Sequence, residues 1–143
     1  MAVELTFFMV KPGGVSRNLT GEIIRRVEAR GLTLRALKLT QVSTELAESH
    51  YDEHREKPFF GELIEGITAG PVVAMVVEGE SSIKAIRAMT GATNPIDAAP
   101  GTIRGDLALE MGENVVHSSA DADAAKTEVA LWFTDVELGL ARA

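Results

Sequence analysis

Two short runs of apolar residues constrain the fold of this chain more than any other feature. Residues 3–10 read VELTFFMV and residues 72–78 read VVAMVVE, and both runs have the length of a strand. Continuous apolar runs of this length predict buried strands, and the second run predicts a central strand that is covered on both faces. Pro12 stops the first run, and Gly13 and Gly14 allow a tight loop after it.

Segments with the spacing of amphipathic helices lie between and after these runs. The predicted helices span residues 19–30, 44–55, 60–69, 82–90 and about 121–133. Gly31 is a natural C-terminal stop for the first of them. Ser81 or Ser82 is expected to cap the helix over 82–90, and Asp121 or Asp123 is expected to cap the last helix.

The remaining segments complete the order of elements. Residues 32–40 alternate between apolar and polar side chains with one slip, and they predict a half-buried strand. Residues 91–112 are rich in Gly, Pro, Thr and Asn and predict a long irregular segment, which in a compact domain usually carries function. This segment precedes the last predicted strand, Val115–His117. The order predicts a single α+β domain over residues 1–143, with a ferredoxin-like βαββαβ antiparallel sheet covered by helices.

Charge and composition exclude several classes of function. The formal net charge of −7 disfavours binding to nucleic acid in general. The chain has no cysteine, which excludes disulfides, thiolate metal sites and a cysteine nucleophile. Its N-terminal segment lacks a basic region, and the apolar stretch there is short and interrupted by Glu4. We therefore expect neither a signal peptide nor a membrane span, and we expect a cytoplasmic location.

Three basic residues and one histidine stand out as candidates for chemistry. Lys11, Arg87 and Arg104 each lie beside Gly, Pro, Thr or apolar residues rather than in a face rich in Lys and Glu, which is typical of cations reserved for a small anion. His117 lies at the end of the last predicted strand, where a strand delivers a side chain to the rim of a pocket. Its ring can be neutral or charged near neutral pH, and a ring nitrogen is a competent nucleophile.

Four segments together resemble one enzyme family. They are Lys11-Pro12-Gly13-Gly14; His50-Tyr51-Asp52-Glu53-His54 followed by Lys57-Pro58-Phe59-Phe60; Arg87 with GATNP at 91–95 and PGTIRGD at 100–106; and Asn114 to Ser119 with Glu128 on the next helix. In this order, and from Glu4 to about Phe133, the chain resembles nucleoside diphosphate kinases. A G-x-x-x-x-G-K-[ST] loop is absent, so the chain is not a P-loop enzyme.

The resemblance implies a phosphotransferase. It implies transfer of the terminal phosphate from a nucleoside triphosphate to a nucleoside diphosphate, by a ping-pong mechanism through a phosphohistidine on His117. Such an enzyme maintains nucleotide pools and tolerates many bases and sugars, so ATP, ADP, GTP and GDP are among the expected substrates. Mg²⁺ is the implied cofactor and is held mainly by the nucleotide phosphates, without protein metal ligands. A homo-oligomer, either a hexamer or a tetramer, is implied, with no membrane partner and no specific nucleic acid.

The resemblance also implies roles for individual residues. The implied catalytic residues are His117, Glu128, Ser119, Tyr51 and Lys11. Glu128 is expected to accept a hydrogen bond from the second ring nitrogen of His117, and Ser119 to bond Glu128 or the phosphate. The implied substrate-binding residues are Lys11, His54, Arg87, Thr93 and Arg104 for the phosphates, Phe59 for stacking on the base, and Asn114 for the sugar.

Three departures separate this chain from the family pattern. The family usually reads H-G-S-D after the last strand, whereas here Ser118 replaces the glycine and Ala120 the aspartate. We expect Asp121 to supply the missing helix cap, and we expect activity to persist. Gly13 stands where the family more often has Asp or Asn, and the tail from Thr134 onward does not align.

Two other hypotheses remain at the level of sequence. His50-Tyr51-Asp52-Glu53-His54 fits the H-x-x-E-H pattern of inverted zinc proteases, in which His50 and His54 would bind Zn²⁺ and Glu53 would act as base. Stoichiometric zinc after dialysis would support it. The other hypothesis is a non-catalytic nucleotide-binding or scaffold protein with a disabled site, which the altered residues after His117 favour. Failure to take up label from γ-labelled ATP would support that one.

Overall fold

The structure is a computed structural model that describes residues 3–140 and residue 142. The strands are β1 (Val3–Val10), β2 (Thr33–Thr40), β3 (Val72–Glu80) and β4 (Val116–Ser118). The helices are α1 (Pro12–Ser16), α2 (Thr20–Ala29), α3 (Thr44–His50), α4 (Phe60–Thr68), α5 (Ser82–Thr90), α6 (Ile103–Leu107) and α7 (Ala122–Trp132). Single 3-10 turns lie at Asp52–His54, Pro95–Asp97 and Met111–Glu113.

The four strands form one antiparallel sheet in the order β2-β3-β1-β4. The apolar run of β3 is buried throughout residues 72–77 and lies between two neighbours, so the predicted central strand is confirmed. β4 pairs with β1, where His117 lies opposite Met9. The predicted α+β architecture with a βαββαβ antiparallel sheet is therefore confirmed.

Two apolar cores lie on the two faces of the sheet. Side chains alternate along β1, so that Phe7 and Met9 face one core and Phe8 and Val10 the other, all four fully buried. The first core is closed by α3, α4 and α7, and the second by α2, α5 and α6. The covering of both faces explains why β1 and β3 read as continuous apolar runs rather than as alternating ones.

Three segments differ from their predicted form. The tight loop after β1 is the short helix α1, because Pro12 at its first position has its backbone preset for a helix. The helix predicted over 44–55 ends at His50 and is followed by a 3-10 turn. The irregular segment 91–112 contains α6, which Thr102 caps by accepting a hydrogen bond from the Gly105 N–H at 3.0 Å.

The caps of α7 and α5 differ in whether a local sequence pattern predicts them. Asp121 caps α7 by accepting a hydrogen bond from the Ala124 N–H at 2.8 Å, which confirms one of the two predicted caps. The cap predicted for α5 is wrong, because neither serine hydroxyl accepts a bond from the first turn. The Glu4 carboxylate on β1 instead accepts the Ile83 N–H at 3.3 Å, and Ser82 donates its hydroxyl to the Glu4 carbonyl.

The segment after α7, residues 134–140, packs against the sheet. Leu138 is buried, and its carbonyl accepts a hydrogen bond from Arg35 Nε on β2 at 2.7 Å. Lys38 on the same strand donates to the Trp132 carbonyl at 2.7 Å. Within residues 3–140 and 142, no helix combines the length and the hydropathy needed to cross a membrane.

Candidate active site

His117 is held at the edge strand of the sheet by a carboxylate from the following helix. Its Nε2 lies 3.1 Å from Glu128 Oε1 on α7, and the Ser119 hydroxyl donates to the same oxygen at 2.6 Å. The Ser119 oxygen in turn accepts the Phe7 N–H of β1 at 3.3 Å. The structure thus places Glu128 and Ser119 where the expected contacts require them, and their catalytic roles stay predictions.

The carboxylate fixes the protonation pattern of the ring. Although burial raises the pKa of Glu128, hydrogen bonds from His117 and Ser119 outweigh it and hold this pKa below its ordinary value. An ionised carboxylate can only accept, so the Nε2 of His117 carries a proton. In the neutral ring Nδ1 then keeps its lone pair, which is the state that a nucleophile requires.

The backbone just before His117 is strained and closely packed. Val115 has a φ of 73°, a left-handed conformation that β-branched residues rarely adopt. The Val115 carbonyl accepts the Lys11 N–H at 2.8 Å. Gly14 is needed opposite it, because a Cβ there would lie 2.7 Å from Val10 Cγ1 and 3.1 Å from Val115 Cγ1. The strain is held by these contacts and sets the direction in which the strand leads into His117.

Lys11 extends from the end of β1 into the same region. Its Nζ donates to the Asn114 side-chain carbonyl at 2.7 Å, and the Asn114 amide donates to the Thr93 carbonyl at 3.1 Å. Burial, assisted by the nearby Arg104 cation, lowers the pKa of Lys11 to about 8, although Glu113 acts in the opposite direction. Lys11, Asn114 and Thr93 therefore form one connected group of donors and acceptors.

Arg104 joins two parts of the chain beneath this group. It is 3% exposed and donates to the carbonyls of Asn114 at 3.2 Å, Gly91 at 3.1 Å and Val116 at 2.7 Å. Burial and the neighbouring Arg87 cation lower the pKa of Arg104 to about 10. A guanidinium has five N–H donors. The carbonyls use three of them, which leaves two N–H groups without a partner among the described residues.

Aromatic rings line the side of the region nearest α3. Burial and the Glu128 charge raise the pKa of Tyr51 to about 12, so its phenol stays protonated. The His54 ring centroid lies 6.4 Å from the Tyr51 ring and 5.6 Å from the Phe59 ring. Phe59 is 40% exposed, so a face remains open for stacking. Tyr51, His54 and Phe59 therefore form one chain of ring contacts, and the effect of Glu128 on Tyr51 places this chain near the carboxylate that holds His117.

Comparison with known proteins gives the family. The family model for nucleoside diphosphate kinase matches residues 4–138 of this chain, so the expectation that the tail from Thr134 onward does not align is wrong as far as residue 138. The chain belongs to this family. It is 56% identical to the nucleoside diphosphate kinase of Archaeoglobus fulgidus over 136 residues, covering 95% of this chain and 90% of the relative. The enzyme of Microcystis aeruginosa is 57% identical, with 95% of this chain and 91% of the relative covered.

Solved structures of nucleoside diphosphate kinases have the same fold. The halophilic enzyme from Halobacterium salinarum in complex with CDP is 48% identical, with a TM-score of 0.93 and with 95% of this chain and 91% of that chain covered. A family protein from Babesia bovis is 46% identical, with a TM-score of 0.92, and 94% of this chain and 90% of that chain are covered. These relatives confirm the resemblance read from the four segments.

His50 was not assigned to the site from the sequence, although it contacts the candidate nucleophile. Its ring centroid lies 4.6 Å from that of His117, in an edge-on arrangement. Its Nδ1 accepts a hydrogen bond from Trp132 Nε1 at 3.0 Å. Burial, together with the His117 charge, lowers the pKa of His50 to about 3, so the ring is neutral at physiological pH. In the sequence, the segment His50–His54 gives His50 a chemical role only through the zinc hypothesis.

The geometry contradicts the zinc protease hypothesis. α3 ends at His50, and His54 lies in the following 3-10 turn, so the two rings do not share a face of one helix. His50 packs in the core against Trp132, whereas His54 faces Phe59 and lies 3.6 Å from the exposed Glu53 carboxylate. The pair that the motif requires therefore does not form a metal site.

The departures from the nucleoside diphosphate kinase pattern have visible consequences. Ser118 points away from His117 along the strand, and its buried hydroxyl has no partner among the described residues. Ala120 is exposed, and Asp121 supplies the cap one residue later. At Gly13, a Cβ would meet the carboxylate end of the exposed and flexible Glu113 side chain, which can move aside, so this departure has no structural explanation.

Proposed function

We propose that His117 is the residue through which this chain transfers phosphate. As a member of its family, the chain is a phosphotransferase that moves the terminal phosphate of a nucleoside triphosphate to a nucleoside diphosphate. The observation that carries the proposal is the pairing of His117 Nε2 with Glu128 at 3.1 Å, beside the cations of Lys11 and Arg104. A fixed imidazole next to isolated cations suits attack on a phosphoryl group.

The reaction proceeds in two half-reactions at one site. The Nδ1 lone pair of His117 attacks the terminal phosphorus, an N–P bond forms, and the P–O bond to the leaving diphosphate breaks. The ring gains positive charge in this step, and the Glu128 carboxylate at Nε2 stabilises it. A second nucleoside diphosphate then attacks the phosphohistidine, the N–P bond breaks, and the ring returns to its neutral state. One pocket serves donor and acceptor in turn.

The phosphates bind to a set of donors of matching charge. Arg104 keeps unused N–H groups, Lys11 adds a compact charge, and Arg87 on α5 lies close enough to Arg104 to lower its pKa. Thr93 and His54 add donors at the two sides of the region. Because Lys11 and Arg104 lie in surroundings poor in water, their attraction to phosphate exceeds that of surface cations.

The base and the sugar are held with little selectivity. Phe59 offers an exposed ring face, and stacking on such a face tolerates every base. Asn114 bonds the Lys11 ammonium and the Thr93 carbonyl, and we expect it to exchange these partners for sugar hydroxyls when nucleotide binds. ATP, ADP, GTP and GDP are all expected substrates.

We expect Mg²⁺ to enter this site bound to the nucleotide phosphates rather than as a free ion. The groups around Lys11 and Arg104 are N–H donors, which suit phosphate oxygens and repel a bare cation. Glu128 already accepts two hydrogen bonds at one oxygen. When bound to the phosphates, Mg²⁺ neutralises part of their charge, while Lys11 and Arg104 orient the rest.

We propose that the chain acts as a homo-oligomer, a hexamer or a tetramer, in the cytoplasm where nucleotide pools are used. Leu37 and Leu39 on the edge strand β2 are 51% and 66% exposed, on the face beyond α2. Adjacent exposed leucines on an unpaired strand edge suit burial against another copy. Light scattering of the wild type and of a Leu39→Lys variant tests this proposal, and a wild-type monomer would refute it.

The test of the catalytic proposal is transfer of label from γ-labelled ATP to the protein. The wild type should take up label that is acid-labile and alkali-stable, and His117→Ala should take up none. His54→Ala is the matched histidine control, which should still be labelled, though more slowly. Label that persists in His117→Ala would assign the nucleophile elsewhere, and a wild type that takes up none would favour the non-catalytic hypothesis.

A further inference from the structure

His50 carries a buried polar atom that the proposed mechanism does not use. The residue is only 9% exposed, and its Nε2 has no hydrogen-bond partner among the described residues. Buried polar atoms are almost always paired, so each exception calls for an explanation. One nitrogen of His50, one nitrogen of His117 and a carboxylate oxygen of Glu128 lie within 4.8 Å of one another.

The neighbour of His50 decides what this nitrogen can do. The Trp132 indole N–H can only donate, and it donates to His50 Nδ1 at 3.0 Å. Nδ1 is therefore the unprotonated nitrogen, and Nε2 carries the proton of the neutral ring. A metal ion at Nε2 would need the lone pair that this proton occupies, and it would cost the bond to Trp132. The free nitrogen of His50 is thus a hydrogen-bond donor rather than a metal ligand.

The carboxylate that holds the nucleophile lies in the same cluster, within 4.8 Å of one His50 nitrogen. No hydrogen bond joins His50 and Glu128 in the free protein, and a role for His50 in the reaction requires this bond to close when nucleotide binds, as catalytic hydrogen bonds often do. Glu128 Oε1 accepts from His117 Nε2 and from the Ser119 hydroxyl, and no hydrogen bond from a described residue reaches its Oε2. The His50 ring also lies edge-on to the His117 ring, with centroids 4.6 Å apart. A donor and a carboxylate with spare acceptor capacity therefore lie beside the reacting imidazole.

We propose that His50 is a positioning residue, locked by Trp132 as an Nε2–H donor, which holds Glu128 ionised and oriented while His117 accepts and releases phosphate. The inference rests on the proposed role of His117 and extends it to a residue in the core. His50 acts without a charge of its own, since a second cation beside His117 would oppose the positive charge that its ring gains during attack. Neutrality and donation are both required, and the Trp132 contact provides for both.

The titratable groups around Glu128 define the pH behaviour that this role implies. His117 on β4 bonds the Glu128 carboxylate. His50 and Tyr51, at the end of α3, also lie near it, and the Glu128 charge acts to raise the pKa of each. Lys11 acts on His50 from the end of β1. A donated hydrogen bond favours an ionised carboxylate, so its loss raises the pKa of Glu128. The acid limb of the rate profile should then move toward neutral pH.

The test compares two replacements of His50 that differ in the donor. His50→Leu keeps bulk and removes the N–H, whereas His50→Gln keeps an amide N–H near the position of Nε2. We expect His50→Leu to lower kcat at least about tenfold with little change in KM, the effect of losing a hydrogen bond to a charged group. His50→Gln should restore most of this loss, and only His50→Leu should move the acid limb upward.

A second variant keeps the test decisive if His50→Leu does not fold. Trp132→Phe retains a ring against Phe7 and removes the indole N–H, so the two tautomers of His50 become available. Its kcat should fall, and its acid limb should shift in the same direction. Equal rates for His50→Gln and His50→Leu, or a wild-type profile for Trp132→Phe, would overturn the inference. Absence of label in the wild type would instead refute the proposed function.

Discussion

Replacing Arg104 by methionine should destabilise the free protein strongly, apart from any effect on nucleotide binding. Three backbone carbonyls, from Asn114, Gly91 and Val116, accept hydrogen bonds from this buried guanidinium. The Asn114 carbonyl also accepts the Val116 N–H at 2.8 Å. Hydrogen bonds to a charged group contribute roughly 1.5–3 kcal/mol each, so the three contribute on the order of 6 kcal/mol. The variant leaves all three carbonyls buried without these donors, because methionine cannot donate.

An opposing term reduces this loss. Burial and Arg87 lower the pKa of Arg104 from 12.5 to about 10, which corresponds to a cost of roughly 3 kcal/mol for keeping the cation in the folded protein. Methionine does not have this cost. We therefore expect Arg104→Met to lower the free energy of unfolding by about 3 kcal/mol.

Urea unfolding of the nucleotide-free protein at a fixed protomer concentration measures this difference. The fixed concentration matters because assembly of subunits contributes to apparent stability. Arg87→Met is the matched control: its side chain is exposed, so its loss should change the free energy of unfolding by no more than about 0.5 kcal/mol. Equal stabilities of Arg104→Met and Arg87→Met would refute the structural role of the three carbonyl contacts.

Three further predictions follow from single groups in the structure. The affinity for ADP should fall as the pH rises through about 8, because Lys11 loses its charge there rather than near 10.5. Calorimetric titration at several pH values measures this affinity, and Lys11→Arg should make it less dependent on pH. Ser118→Ala should raise the free energy of unfolding measured in urea by about 1 kcal/mol, because it removes a buried hydroxyl that has no partner within residues 3–140 and 142. A decrease would contradict this account. Asp121→Ala should lower the free energy of unfolding by about 1 kcal/mol, because it removes the cap of α7. Asp123→Ala is the control, since the cap bond of α7 comes from Asp121.

The sheet could be predicted because its information is local. The apolar runs of β1 and β3 identify strands covered on both faces, and the slip in 32–40 is the irregularity between Leu34 and Ala36 on β2. The start of α5 could not be predicted in this way. The Ile83 N–H in its first turn donates to the Glu4 carboxylate, and Glu4 lies 79 residues earlier in the chain, so no local pattern contains the partner.

The site shows the same division between local and distant information. The segment around His117 identifies a candidate nucleophile, and the family resemblance supplies the cations and Glu128. The place of His50 in the site could not be predicted from the sequence, because it depends on the contact with Trp132, which lies 82 residues away. From the sequence alone, His50 pairs most naturally with His54 four residues later. The helix ends between them, and the tertiary contact decides which neighbour each ring meets.

The buried cations explain how an acidic protein binds a polyanion. Lys11 and Arg104 both have lowered pKa values, so the free protein holds them charged at an energetic cost that burial sets. A bound phosphate places negative charge beside these cations and so offsets the cost of keeping them charged. The exclusion of water that makes the cations costly then also strengthens their attraction to the phosphate. Because the interaction is short-ranged and internal, the net charge of −7 on the surface does not oppose it strongly at physiological salt. The affinity for nucleotide and the reduced stability of the empty site are therefore two consequences of the same placement of charge.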